Sequence, residues 1–211
     1  MSDEVVFYHN PNSRSRMVHW MLEEVGAPYR VELINFEKGE HKKPAYLAVN
    51  PMGKLPAISH RGTVVTETGA ICTYLADAYP AARLAPAIGE PARGGYLRWM
   101  FFGAACLDSA LVDRMLARPA PERTAAIGYG RYEDVVNVLE KAINPGPYFL
   151  GERFSAADIY VGAQIGWGMM MKSLEARPAF QAYMGRLAQR PAFKRANEQS
   201  EQFAAKLKAA G

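Results

Sequence analysis

Cysteine is scarce in this chain: Cys72 and Cys106 are the only two in 211 residues, and they form neither a C-x-x-C pair nor a metal-ligand spacing. That excludes a disulfide framework and a thiol redox motif carried by the protein itself, and it suits a reducing cytoplasm. Long apolar runs are missing as well, since none approaches the roughly 20 residues of a membrane span. The opening "MSDEVVFYHN" is acidic and enters a strand pattern at once, so no secretory leader and no membrane partner are expected. Lys and Arg never run longer than two residues, although the net charge is +4, with −1 over the first 90 residues and +5 after them. Nucleic-acid binding asks for a clustered basic patch or stripe, so none is expected.

What is present alternates and then changes character. "EVVFY" (4–8) is a short strand rich in β-branched and aromatic residues. In "SRSRMVHWMLEEVG", Met17, Val18, Met21, Leu22 and Val25 fall at helical spacing and Gly26 ends the helix. "YRVELIN" (29–35) is a second strand, "HKKPAYLAV" a short helix, "LPAISH" and "TVVTE" a pair of strands, and "TGAICTYLADAYP" a helix stopped by Pro80. The order β-α-β-α-β-β-α predicts a small mixed sheet with a parallel start and an antiparallel hairpin finish. "AARLAPAIGEP" (81–91) reads as a linker. Everything after it is helical: 92–118 as one long helix or two, then 122–143, 155–171 and two helices each opened by a proline, Pro178 and Pro191. The expected domains are an α/β unit over 1–80, a linker over 81–91 and an all-helical unit over 92–211. In "FSAADIYVG", Ser155 and Asp158 suit a structural capping box with Phe154 and Ile159 as its staple.

"NPMGKLPAI" (50–58) raises the functional question. Pro56 has no N–H to give a sheet, and proline is tolerated at a strand's first residue, at an edge or at a bulge. Either the stretch is a turn that ends in a strand, or Leu55, held before a cis-Pro56, turns its backbone N–H and C=O toward a ligand. Other groups belong to the same half. The loop "YHNPNSRSR" delivers Ser13 and Ser15 to a helix N-terminus, where unpaired N–H groups and the positive dipole end favour an anion. Asn12 or Ser13 is also an ordinary N-cap candidate. Glu67 suits a ligand ammonium, and Thr68 with its helix N-terminus suits a carboxylate, so an α-amino-acid end would satisfy both. His41, Lys42, Lys43 and Lys54 together could meet a second carboxylate. The implied ligand is extended and peptide-like.

These residues resemble a cytosolic glutathione S-transferase of bacterial type over nearly the whole chain. The most specific stretches are "GEHKKPAYLAVNPMGKLPAI", "TETGAICTYLAD", where the family usually has Glu-Ser, and "FLGERFSAADIYVG". The resemblance implies a thioredoxin-like domain followed by an all-helical one. It further implies that Pro56 is cis and that Leu55 pairs with the cysteinyl unit of glutathione. Glu67 and Thr68 would bind the γ-glutamyl end, with His41, Lys42 and Lys54 near the glycyl carboxylate. Glutathione enters as a co-substrate and no other cofactor or metal is implied. The family activates the thiol with a Tyr, Ser or Cys. Here Tyr8, Ser13 and Ser15 are available, Ser13 is chosen, and Asn12 and Arg14 are possible helpers. A small hydrophobic electrophile would meet Tyr96, Trp99, Met100 and Phe102, which core packing also explains. A homodimer is implied.

Two other readings share these residues. A glutathione-dependent disulfide reductase or peroxidase would use the same bound thiolate. A non-catalytic relative would use the fold for protein interaction, and such proteins often lose the ligand contacts that are present here.

Overall fold

In the computed structural model, residues 3–119 and 122–209 are described, and the expected domain limits at residues 1 and 211 lie outside them. Strand β1 (Val5–His9) leads through residues 10–14 into helix α1 (Ser15–Val25), and β2 (Tyr29–Leu33) returns parallel to β1. A parallel pair needs a crossover, and α1 supplies it. Gly26 ends α1 at φ 66°, its N–H reaching Leu22 O at 3.1 Å, which is the left-handed cap that glycine adopts without strain. A 3-10 turn (Glu40–Lys42) and short α2 (Pro44–Leu47) follow, then β3 (Ala57–His60), β4 (Thr63–Thr66) and α3 (Thr68–Ala78). Arg61 and Gly62, both at positive φ, join β3 to β4, as a two-residue type I′ hairpin requires. The sheet order is β2-β1-β3-β4, with only β1 and β2 parallel.

Strand β1 buries alternate residues. Val5, Phe7 and His9 are fully buried and share a face with α1, where the Phe7 and His19 rings stand 5.9 Å apart. Tyr8 points the other way and meets Tyr46 of α2 at 5.7 Å. The core between the sheet, α1 and α3 holds Trp20, Met21, Leu22, Ile58, Ile71 and Leu75, none more than 2% exposed. Each such side chain contributes about 1.5–3 kcal/mol of burial.

The last helix departs from the expected domain division. Helix α9 (Pro191–Ala209) packs on α1, so the residues from Arg190 onward group with those up to Ala82, and residues 83–189 form the other unit. The reason is polar as much as apolar. Phe193 meets Trp20 edge-on at 4.9 Å, and Arg190 clasps Glu24 with two bonds of 2.6 and 2.8 Å. Arg195 donates to Glu23 at 2.7 Å, and Arg16 pairs with Glu201. Among the buried groups, His19 Nδ1 meets Ser200 Oγ at 2.9 Å, while its Nε2 meets Gln199 Oε1 at 2.9 Å and the Tyr29 hydroxyl at 3.0 Å.

In the helical unit, α4 (Ala92–Phe102), a π-helical turn (Gly103–Leu107) and α5 (Asp108–Met115) form one rod. Helices α6 (Tyr132–Ile143), α7 (Ala156–Met170) and α8 (Pro178–Leu187) complete it. Gly103 lets the rod approach α7 closely: a Cβ there would lie 2.9 Å from Gln164 Oε1, and Gln164 Nε2 donates to Gly103 O at 3.1 Å. The expected linker is pinned rather than loose. Leu84 is buried and its O accepts from Ala156 N at 2.7 Å, and Arg153 bonds Ala85 O and Glu90. No helix among the described residues is long and apolar enough to cross a membrane.

Candidate functional site

Strand register gathers the candidate residues of the first unit at one sheet edge. Tyr8 lies opposite Ala57, so the end of β1 stands beside the start of β3. Ala57 lies opposite Thr66, which places the residue after β4, Glu67, at the same edge. His9 pairs with Leu33, so the chain leaving β2 toward His41 begins there too. Residues 10–15, 34–43, 55–56 and 67–68 therefore share an edge.

The Leu55–Pro56 bond is cis, and β3 begins only at Ala57. Neither the N–H nor the C=O of Leu55 has a backbone partner among the described residues. The turn before it is anchored from beneath: Tyr46 Oη and Asn50 Nδ2 donate to Lys54 O at 2.6 and 2.8 Å. Gly53, at φ 61°, allows the 3-10 turn to press in, because a Cβ there would sit 2.6 Å from His41 O and 2.9 Å from Lys42 Nζ. That contact brings His41 and Lys42 against the turn bearing Lys54. Lys42 Nζ donates to Met52 O at 3.1 Å, and His41 Nδ1 is buried without a partner among the described residues while its ring packs on Phe36 at 4.9 Å. Lys43 and Lys54 are exposed.

Glu67 precedes α3 with φ 65° and ψ 119°, in the sparsely populated positive-φ region. For a residue with a Cβ such a conformation costs on the order of 1–3 kcal/mol and clusters at ligand clamps. Its O accepts from Ile71 N at 2.9 Å, its side chain is exposed, and no side chain caps α3. Thr68 is buried at 8% exposure.

At the start of α1 the hydroxyls form a tight cluster. Ser13 Oγ donates to Asn10 O at 2.8 Å, lies 2.8 Å from Ser15 Oγ and accepts from Ser15 N at 3.1 Å. Ser15 is fully buried; its Oγ lies 2.7 Å from Asn10 O and 2.8 Å from His9 Nδ1, and it accepts from Asn10 N at 3.1 Å. Ser13 is only partly exposed, and Asn12 is exposed. Arg14 occupies the cap position with no side-chain cap bond. Beside this loop a cleft of about 530 Å³ is bordered by Asn10, Asn12, Phe36 and, from α9, Glu201, Ala204 and Lys208.

In the helical unit Tyr96, Trp99 and Met100 are 0, 6 and 3% exposed. Trp99 packs on Phe149 at 4.7 Å and on Phe102 at 5.4 Å, and the Arg98 guanidinium lies 4.5 Å from its ring. These are the contacts of a helical core. Phe101, not singled out from the sequence, is 70% exposed.

Sequence reasoning missed His9. Burial, with His19 and Arg16 adding to it, pushes its pKa down to about 3. The available signal was the period of two in β1: a polar residue stands in the phase of Val5 and Phe7.

The sheet, its cis-proline turn and the helices on it make a thioredoxin-like unit, joined in one chain to a helical unit. A family model described as "Glutathione S-transferase, N-terminal domain" matches residues 4–77, and one described as "Glutathione S-transferase, C-terminal domain" matches residues 111–199. The chain belongs to the glutathione S-transferase family. It is 29% identical to glutathione S-transferase GstA of Escherichia coli O157:H7, over 87% of this chain and 92% of that one. It is 26% identical to the disulfide-bond oxidoreductase YfcG of Escherichia coli K12, over 88% and 90%. The structure of a sphingomonad glutathione S-transferase complexed with glutathione superposes with a TM-score of 0.77 at 31% identity, covering 93% of this chain and 98% of that one.

Proposed function

We propose that this protein is a glutathione S-transferase that binds glutathione along the shared sheet edge and activates its thiol for attack on a small hydrophobic electrophile. The observation that carries the reading is that Leu55's backbone N–H and C=O have no backbone partner among the described residues at the edge that also holds Ser13 and Glu67. An extended peptide can pair with Leu55 as one more antiparallel strand. Its amino-acid end meets Glu67, Thr68 and the uncapped start of α3, and its far carboxylate meets His41, Lys42 and Lys54. A free thiol titrates near pH 8.5, and helix N-termini and nearby donors lower that value. With the sulfur at Ser13 Oγ and the start of α1, the thiolate attacks carbon and displaces a leaving group or adds to an activated double bond. Asn12 assists at the rim, and the electrophile is small and hydrophobic. The reading includes a homodimer in the cytoplasm and no cofactor besides glutathione.

The test is Ser13→Ala. It keeps most glutathione affinity and loses turnover, by at most the roughly 10²–10³-fold that removing one donor from an anion site costs. The ultraviolet absorbance of the bound thiolate moves to higher pH. Parent-like titration sinks the assignment. Likeness to YfcG supports a second reading, reduction of disulfides by the same thiolate; a screen of aryl halides, epoxides, hydroperoxides and mixed disulfides separates the two.

A further inference from the structure

The hydroxyl cluster at the start of α1 contains more oxygen contacts than hydrogens, so the direction of each bond is decided elsewhere. Ser13 Oγ, Ser15 Oγ and Asn10 O lie within 2.7–2.8 Å of one another, and two hydroxyl hydrogens serve three gaps. Ser15 Oγ also accepts from Asn10 N–H and faces His9 Nδ1 at 2.8 Å. The proton on His9 sets the rest.

His9 is fully buried among Phe7 at 4.8 Å and, edge-on, His19 at 5.2 Å and Phe203 of α9 at 5.6 Å. The charged group that faces it is Arg16 of α1, itself paired with Glu201 of α9. Held neutral there, the imidazole has one N–H to place. Its Nε2 is buried without a partner among the described residues. A buried N–H without an acceptor is rarer than an acceptor without a donor, so the hydrogen belongs on Nδ1, pointing at Ser15. Ser15 Oγ then accepts from both Asn10 N–H and His9 Nδ1–H, and its two lone pairs are filled. It cannot take the Ser13 hydrogen. The Ser15 hydrogen is shared between Asn10 O at 2.7 Å and Ser13 Oγ at 2.8 Å, so a bond between the two serines runs only from Ser15 to Ser13, whose Oγ also accepts from Ser15 N–H. The Ser13 hydrogen is left to leave Asn10 O for an incoming anion. With the hydrogen on Nε2, Ser15 donates to His9 instead and has a lone pair open to the hydrogen of Ser13, which then competes with any incoming anion.

We propose that His9 is a positioning residue for thiol activation, donating from Nδ1 to Ser15 so that the Ser15–Ser13 bond points outward and the Ser13 hydroxyl is left as a donor to the glutathione sulfur. Aligned donors polarise one another, which strengthens the last donor in the chain. The inference rests on the reading of Ser13 given above.

The experiment follows bound-thiolate absorbance against pH in the full-length protein saturated with glutathione, and so needs no electrophile. His9→Phe keeps the ring and removes the donor; it lowers the thiolate fraction on the rising limb about threefold, while affinity for the thiol form at low pH stays within about twofold. His9→Asn, whose amide N–H reaches the place of Nδ1, restores the parent titration. Ser15→Ala breaks the same chain one step later and shifts the titration as His9→Phe does, which keeps the test alive if His9→Phe does not fold. In a Ser13→Ala background, His9→Phe adds nothing. If Ser13→Ala shifts the titration but His9→Phe and Ser15→Ala titrate like the parent, His9 loses this role and Ser13 keeps its own. If Ser13→Ala also titrates like the parent, both readings fall.

Discussion

Two helix starts in this chain carry serine, and they have been finished differently. At α7, Ser155 and Asp158 form a complete capping box: Ser155 N–H and Oγ–H both donate to Asp158 Oδ2, at 2.9 and 3.1 Å. Phe149 N–H and the Tyr183 hydroxyl donate to its other oxygen, at 2.9 and 2.7 Å. Asp158 is fully buried and nothing remains to receive a ligand. At α1 the third helical position is Met17 rather than a carboxylate, the cap position is Arg14 with no side-chain cap bond, and Ser13 stays partly exposed. An N3 carboxylate closes a helix start, and its omission leaves donors for an anion. Serine alone does not separate the two cases; the partner three residues on does.

The largest effect expected from breaking this contrast is Asp158→Ala. It strips four donors of their acceptor inside the core, and breaking such a buried network costs about 3–5 kcal/mol. Denaturant midpoints measure the loss, and glutathione affinity of the folded fraction stays unchanged. An unaltered midpoint would show that the box does not hold α7.

The open side is tested next by comparing Glu67→Ala with Lys43→Ala. On the proposed reading Glu67 holds the ligand's ammonium, and such a charge-assisted bond is worth about 1.5–3 kcal/mol. Lys43 is exposed, and a surface pairing is worth about 0–1 kcal/mol. Calorimetric titration with glutathione decides between them, and equal losses mean that the amino-acid head lies elsewhere.

Much of the open side was legible because its signals are local. Pro56 before an apolar run, Gly53 in the preceding turn and Glu67 at a helix start are each a short-range conflict with regular structure. The α7 box was legible for the same reason, as Ser155 and Asp158 are three residues apart. Helix α9 was legible as a helix but not by its address. Its inward stripe mixes Phe193, Ala196 and Phe203 with Gln199 and Ser200, and only the distant partners His19, Tyr29 and Glu23 explain the polar members. His9 was hidden by the same distance, since Phe203, which packs edge-on against it, comes from α9.

That enclosure makes a pH test of the α1 side. Burial holds the pKa of His9 down at about 3 and lowers that of His19 as well, whereas both titrate near 6.5 when unfolded. The folded value is the depressed one, so the unfolded chain binds more protons below pH 6.5. Stability is full above that pH and is lost as pH falls toward the folded values. His9 alone accounts for about 2 kcal/mol between pH 7 and pH 5. Urea midpoints at the two pH values measure this, and His9→Phe should flatten the slope. A slope identical in His9→Phe would mean that the histidine is not held neutral.

The finest test removes the two hydroxyls themselves. Ser155→Ala takes away a cap and a buried bond to Asp158, and N-cap serine to alanine changes cost about 1 kcal/mol. Ser13→Ala removes a partly exposed hydroxyl that water can replace, including as acceptor for Ser15 N–H at the start of α1. Its cost in stability should therefore be no more than a few tenths of a kcal/mol. The thiolate titration reverses the ranking: Ser13→Ala shifts it and Ser155→Ala leaves it in place. Stability and titration measured on both variants cross over if one serine closes a helix and the other serves a ligand. Parallel losses in both measurements would mean that the two helix starts do the same work.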